Sequence, residues 1–134
     1  VKNVFSYKVA WGDADAAGIV FYPHFYRWMD QATHELFDVA GLPTVKLFKD
    51  ERVGLPILEA HCRFEKPVFF GTVIDIESTL LELHRKVFKI RHRFKTGDTL
   101  NATGYEVRAW TVFSGDRPKA VPIPEEVRAL FQGE

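Results

Sequence analysis

The chain carries one helical period and then several strand periods, and this switch constrains its fold more than any other feature. From Pro23 to about Ala40 the apolar residues Phe25, Trp28, Met29, Ala32, Leu36 and Val39 recur three and four apart, the spacing of one helix face. Pro23 suits a first helical turn and Gly41 a stop just past the last. Beyond Gly54 the period becomes two. In "KVFKIRHRF" Phe88, Ile90, His92 and Phe94 share one face and Lys89, Arg91 and Arg93 the other. In "YEVRAWTVF" Tyr105, Val107, Ala109 and Phe113 stand opposite Glu106, Arg108 and Thr111. Strands near 3–10, 56–66 and 73–83, with "TGD" as a hairpin turn, complete an antiparallel sheet of about five. A weaker helical piece is expected over Val45 to Glu51. The apolar stripe of the long helix is too broad to leave in water, so the helix must lie on one face of the sheet. The expected class is α+β.

Size and charge remove several alternatives. At 134 residues the chain is expected to form a single domain over 1–134, burying roughly 65 to 70 % of the surface its unfolded form exposes. Lys plus Arg and Asp plus Glu number 18 each, so the overall balance favours neither a nucleic-acid nor an anionic-membrane partner. Any anion site must be local. Cys62 is the only cysteine, which excludes an internal disulfide and a multi-cysteine zinc site and fits a reducing compartment. No stretch approaches the roughly 20 apolar residues of a membrane span, and "VKNVFSYKVA" has no signal-peptide core, so a cytoplasmic protein is expected. His34, His61 and His92 lack the paired spacing of metal ligands, and no metal site is expected. The G-x-S-x-G frame of serine hydrolases is absent.

The stretch "GDADAAGIVFYPHF", residues 12–25, runs straight into the long helix. A glycine and small residues let a turn pass close to a ligand, and the first amides of a helix lack intrahelical partners and sit at the positive end of its dipole. Such amides stabilise an oxyanion. A carboxylate just ahead of them can act as a nucleophile or as a base toward water, which makes a minimal acyl-transfer site. Asp13 and Asp15 also fit simple turn capping.

The longer segment "GDADAAGIVFYPHFYRWMD", residues 12–30, resembles the signature G-D-x-D-x-A-G-I-V-x-Y-P-x-Y-x-R-W-x-D of hotdog-fold acyl-CoA thioesterases, in the 4-hydroxybenzoyl-CoA thioesterase branch. A weaker likeness continues through "GLPILEAHCRF" and "HRKVF". The resemblance implies a hotdog fold, one long central helix wrapped by a curved antiparallel sheet. It implies that Asp15 is the catalytic carboxylate, that Asp13 is structural, and that the Tyr22 backbone N–H polarises the thioester oxygen. Gly18, His24 and Asp30 become substrate-binding residues, with Asp30 near a ring hydroxyl. His24 and Phe25 depart from the signature and could alter the acyl pocket. Thioesters are reactive acyl donors, so no triad, metal or cofactor is required; the coenzyme A thioester is the substrate. Family members form homodimers, commonly paired into homotetramers, with the site shared between subunits.

"HRKVFKIRHRFK", from His84, is the local anion site that the composition leaves room for. By the same resemblance Arg85 and Lys86 align with residues contacting the nucleotide phosphates of coenzyme A, and His84 with a further basic position. Lys89, Arg93 and Lys95 read as a solvated strand face, without the aromatic ladder of a nucleic-acid surface. Glu59 and His61 share a strand face and are an alternative source of site groups, while Cys62 is expected in the core with Leu58, Ala60 and Phe64. The expected activity is hydrolysis of an acyl- or aroyl-CoA thioester to the acid and coenzyme A. The alternatives are a non-catalytic acyl-CoA-binding module and a hotdog dehydratase or hydratase, for which His24 with Asp15 is the only loose candidate pair.

Overall fold

A computed structural model describes residues 2–132. Strand β1 (Lys2–Lys8) leads through a short 3-10 turn (Trp11–Asp13) to the long helix α1 (Pro23–Val39) and the short helix α2 (Thr44–Glu51). Then come β2 (Val53–Gly54), β3 (Ile57–Phe64), β4 (Val73–Leu83), β5 (Val87–Thr96), β6 (Thr99–Ala109), β7 (Thr111–Val112), β8 (Lys119–Ala120) and helix α3 (Glu125–Gln132). The main sheet is antiparallel, in the order β1-β4-β5-β6-β3. The expected helices and strands fall within a few residues of these bounds, and Gly97, at φ 61°, makes the β5–β6 hairpin turn. A small second sheet, β2-β7-β8, and α3 are additions. The signal for α3, Pro124 followed by Val127 and Phe131 four apart, lasts only two turns.

Helix α1 contacts all five strands of the main sheet. Five strands at roughly 4.8 Å spacing span about 19 Å, nearly twice the width of a helix, so the sheet must curl around α1 to touch it everywhere. Gly104 permits the closest approach. A Cβ there would stand 2.5 Å from the Met29 sulfur and 2.8 Å from the His61 carbonyl oxygen. The buried face of α1 comprises Phe25, Trp28, Met29, Ala32, Thr33, Leu36 and Phe37. Val39, expected on this stripe, is 64 % exposed because Phe37 takes the inward place in the last turn.

Two apolar clusters fill the interior, one around Phe25, Trp28, Ile76 and Phe94, the other around Leu36, Phe88, Trp110 and Phe131. A polar layer separates them. Thr33, Ser78, His92, Glu106 and Arg108 are all buried, and each falls between members of the two clusters along the chain. This corrects the expected face of β6: Glu106 (1 % exposed) and Arg108 (3 %) point toward α1, while Tyr105 and Val107 lie on the outer side. The physical reason is that the two charges complete each other. Arg108 Nη2 donates to Glu106 Oε2 at 2.8 Å, and Glu106 Oε1 accepts from Thr33 Oγ1 at 2.5 Å and from His92 Nε2 at 3.1 Å. Ser78 Oγ lies 2.7 Å from His92 Nδ1, which the Nε2–H tautomer leaves as an acceptor. A buried carboxylate so satisfied is tolerated where a bare one is not.

Strand β3 also departs from expectation. Cys62 is buried, but Leu58, Ala60 and Phe64 are exposed, so they do not form a core in one chain. β3 is the edge of the sheet, and a bulge between Ile57 and Glu59 shifts its register.

Candidate active site

The two motif aspartates have different surroundings. Asp13 is buried and accepts from Tyr7 Oη at 2.8 Å, from the Ala10 N–H at 2.9 Å and from Arg27 Nη2 at 3.0 Å. Burial alone would raise its carboxyl, but these donors outweigh it and hold the group below the usual carboxylate range. Asp13 ties β1 and α1 to the turn. Asp15 instead stands exposed at the tip of that turn.

The turn is a small hairpin. Ala14 bridges Val20, the Asp15 N–H donates to the Ile19 carbonyl at 2.8 Å, and the Gly18 N–H returns to the Asp15 carbonyl at 3.0 Å. Gly18 has φ 81°, a conformation that favours glycine. One carboxylate oxygen of Asp15 accepts the Ala17 N–H at 2.8 Å, which orients the group while leaving it open to solvent. Asp15 and Gly18 line a concavity of about 530 Å³ with Trp11, Ala14 and Phe70. Ile19 and Val20 lead into a second hollow of about 300 Å³, where Tyr22, Phe25 and Phe64 form an aromatic wall. Tyr22 immediately precedes α1, and among the described residues its N–H has no hydrogen-bond partner. It is therefore available to an oxyanion. His24, in the first turn of α1, stacks on Trp28 with ring centroids 6.2 Å apart and makes no hydrogen bond to Asp15 among the described residues.

The other expected residues lie elsewhere on the chain. Asp30 is half exposed on α1; its Oδ1 accepts from Arg108 Nη2 at 2.7 Å and meets His34 Nε2 at 3.4 Å. The His34 hydrogen bond, with Arg108 close behind, holds the Asp30 carboxyl far below the usual range. His34 reaches Thr44 Oγ1 at 2.7 Å and walls a largely apolar hollow of about 360 Å³ with Phe48, Val53 and Leu55. His84, Arg85 and Lys86 form the β4–β5 turn. Their backbone is anchored to the C-terminal segment through Arg85 O with the Ile123 N–H at 2.8 Å and Lys86 O with the Trp110 N–H at 2.9 Å. His84 pairs with Glu82 at 2.8 Å, and the Arg85 side chain is exposed. Strand β4 starts beside Phe70 and ends at this turn, so Asp15 and the basic turn lie at opposite ends of an 11-residue strand, about 33 Å long when fully extended. Glu59 and His61 lie on the outer sheet face, around Tyr105, whose hydroxyl donates to Glu59. Among the described residues no group of three or more His, Cys, Asp or Glu could hold a metal ion.

Sequence reading misses Arg108 and His34, the two partners of Asp30. The Asp30–His34 pair is legible as an i,i+4 spacing, whereas nothing local marks Arg108 as buried.

A long helix enclosed by a curled antiparallel sheet, with a carboxylate-bearing turn at the start of the helix, is the hotdog architecture of thioester-handling enzymes. The chain belongs to the thioesterase-like superfamily, whose model matches residues 9–131. It is 32 % identical over 126 residues to the 4-hydroxybenzoyl-CoA thioesterase of Pseudomonas sp. (strain CBS-3), covering 89 % of each chain. It is 28 % identical over 116 residues to the 1,4-dihydroxy-2-naphthoyl-CoA hydrolase of Microcystis aeruginosa, covering 87 % of this chain and 83 % of that one. The solved structure of a gentisyl-coenzyme A thioesterase superposes with a TM-score of 0.86 at 40 % identity, over 97 % of this chain and 99 % of that one. No helix is long and apolar enough to cross a membrane among the described residues.

Proposed function

We propose that this protein hydrolyses coenzyme A thioesters of hydroxylated aromatic acids. One observation carries the reading: of the two motif aspartates, Asp13 is fully taken up by three donors, and only Asp15 presents its carboxylate to an open concavity. Asp15 attacks the thioester carbon directly or takes a proton from a water that does so. A new C–O bond forms, the C–S bond breaks, and coenzyme A leaves as a thiolate that is then protonated; on the direct route water then cleaves the acyl–Asp15 anhydride, releasing the acid and restoring the carboxylate. The Tyr22 N–H stabilises the oxyanion on the carbonyl oxygen, with the positive end of α1 behind it. Gly18 and His24 shape the approach to the reacting group, and Asp30 accepts a hydrogen bond from a ring hydroxyl. Arg85 and Lys86, with His84 beside them, hold the nucleotide phosphates. The reaction uses no metal and no cofactor besides its substrate. The acyl class follows from the relatives, whose substrates include 4-hydroxybenzoyl and 1,4-dihydroxy-2-naphthoyl groups.

The active unit is a homodimer, pairing again into a homotetramer. Support comes from the exposed apolar residues Leu58 and Phe64 on the unpaired edge strand β3, and from the separation of Asp15 and the basic turn in one chain, which a site shared between subunits overcomes. Light scattering at micromolar concentration should give a dimer or larger; a monomer rules out the shared site. A cytoplasmic location fits a chain whose one cysteine is unpaired.

Thiol release from a panel of esters tests the activity. The expected order places 4-hydroxybenzoyl-CoA above phenylacetyl-CoA and both above short- and long-chain acyl-CoA. Faster turnover of the aliphatic esters overturns the hydroxyaroyl assignment.

A further inference from the structure

We propose that Arg108 is a positioning residue that sets the acyl preference by fixing the Asp30 carboxylate from inside the core. The proposal rests on the reading of Asp30 as the acceptor for a ring hydroxyl. Asp30 on its own is a half-exposed side chain on a helix surface, with free rotamers and water to bond. Arg108 removes that freedom. Its guanidinium is buried and donates from Nη1 to the Leu55 carbonyl at 2.9 Å, and from Nη2 to Asp30 at 2.7 Å and Glu106 at 2.8 Å. These acceptors lie just before β3, on α1 and on β6, so the planar fork cannot turn without losing at least one. They dictate its pose even though Arg108 Nε is left buried without a partner.

Behind Arg108 the chain of bonds continues through Glu106 to Thr33 and His92, and from His92 to Ser78. A surface carboxylate is thereby linked to the buried polar layer. His34 adds a second anchor from the next turn of α1. With two carboxylates around one guanidinium the group carries a net negative charge when both histidines are neutral. It therefore accepts a hydrogen bond from a ring hydroxyl and repels an anionic acyl group. A preset acceptor discriminates by hydrogen bonding without reorganising, and an ester lacking the hydroxyl forfeits that bond. A lysine at 108 keeps the charge but cannot reproduce the fork.

The test compares kcat/KM for 4-hydroxybenzoyl-CoA and for benzoyl-CoA in wild type and in Arg108→Lys. The ratio of the two cancels any loss of folded protein. It should fall about tenfold in the variant, chiefly through KM for the hydroxylated ester. An unchanged ratio overturns the proposal. Asp30→Asn, a change at the half-exposed end of the chain of bonds, should reduce the ratio at least as far, and its failure to do so is equally fatal. The same two esters are also titrated calorimetrically into Asp15→Asn protein, with and without Arg108→Lys, because binding does not require turnover. If wild type releases no thiol but Arg108→Lys still erases the binding preference, the positioning role stands and the hydrolytic reading falls. If the binding preference survives Arg108→Lys, the positioning role falls whatever the turnover.

Discussion

Asparagine in place of Asp15 should lower thioester hydrolysis by at least about a hundredfold, roughly 2.7 kcal/mol of transition-state stabilisation. The exchange is nearly isosteric. The side-chain oxygen that receives the Ala17 N–H remains an acceptor, so the turn and its Gly18 return should persist. What disappears is the negative charge, the property needed either to attack the thioester carbon or to deprotonate water. The melting temperature and the affinity for ester should therefore change little while kcat collapses. A variant with undiminished kcat would move the catalytic carboxylate elsewhere. If wild type and variant both bind esters and neither releases thiol, the turn is a ligand cradle, and the protein is an acyl-CoA-binding module.

The largest loss of stability is expected from Arg108→Met. Methionine fits the volume but leaves Glu106 charged and buried beside an apolar side chain, and breaking a buried pair in this way costs about 3–5 kcal/mol. For a domain of this size that is about 11 to 18 °C in Tm. The dependence on pH supplies a second signature. In the wild-type protein burial would raise the Glu106 carboxyl, but the His92 hydrogen bond and the Arg108 charge outweigh it and hold the group below its ordinary value. Its contribution is present above the unfolded carboxylate pKa, about 4.3, and is lost as pH falls through the folded value. Without Arg108 burial dominates and the folded value rises above the unfolded one, so protonation then favours the folded state. The stability gap between variant and wild type should narrow on acidification, and Glu106→Gln in the Arg108→Met background should recover much of it. Equal Tm values across pH 4 to 8, measured by calorimetry, would mean that the pair carries no net stability.

Much of this molecule is legible in one dimension. The helix stripe beginning at Phe25 and the alternation through Phe88, Ile90 and Phe94 depend only on period and apolarity, and both survive folding intact. The local turn chemistry around Asp15 is likewise readable, because Gly18 and the start of α1 are close in sequence. What escapes is whatever depends on partners far along the chain. Apolarity puts Tyr105 and Val107 inside, but Glu106 and Arg108 are made burial-competent by Thr33, His92 and Asp30, 14 to 78 residues away. Leu58 and Phe64 mislead for the opposite reason: they are apolar, yet they stand exposed on an edge strand. The distance from Asp15 to the Arg85 turn is similarly invisible, since it is set by the length of β4 rather than by any residue type.

The polar layer across the interior has one more consequence, for how the strands find their pairing. Sliding β5 by two residues keeps Phe88, Ile90, His92 and Phe94 on the inward face, so apolar alternation does not distinguish the slipped sheet from the native one. The row made by Ser78, His92 and Gly104 does distinguish them. After such a slip His92 would face Ile76 or Leu80 instead of Ser78, and a buried ring nitrogen would lose its hydroxyl partner. Apolar alternation chooses the face of each strand, and one row of hydrogen-bonding side chains chooses its alignment.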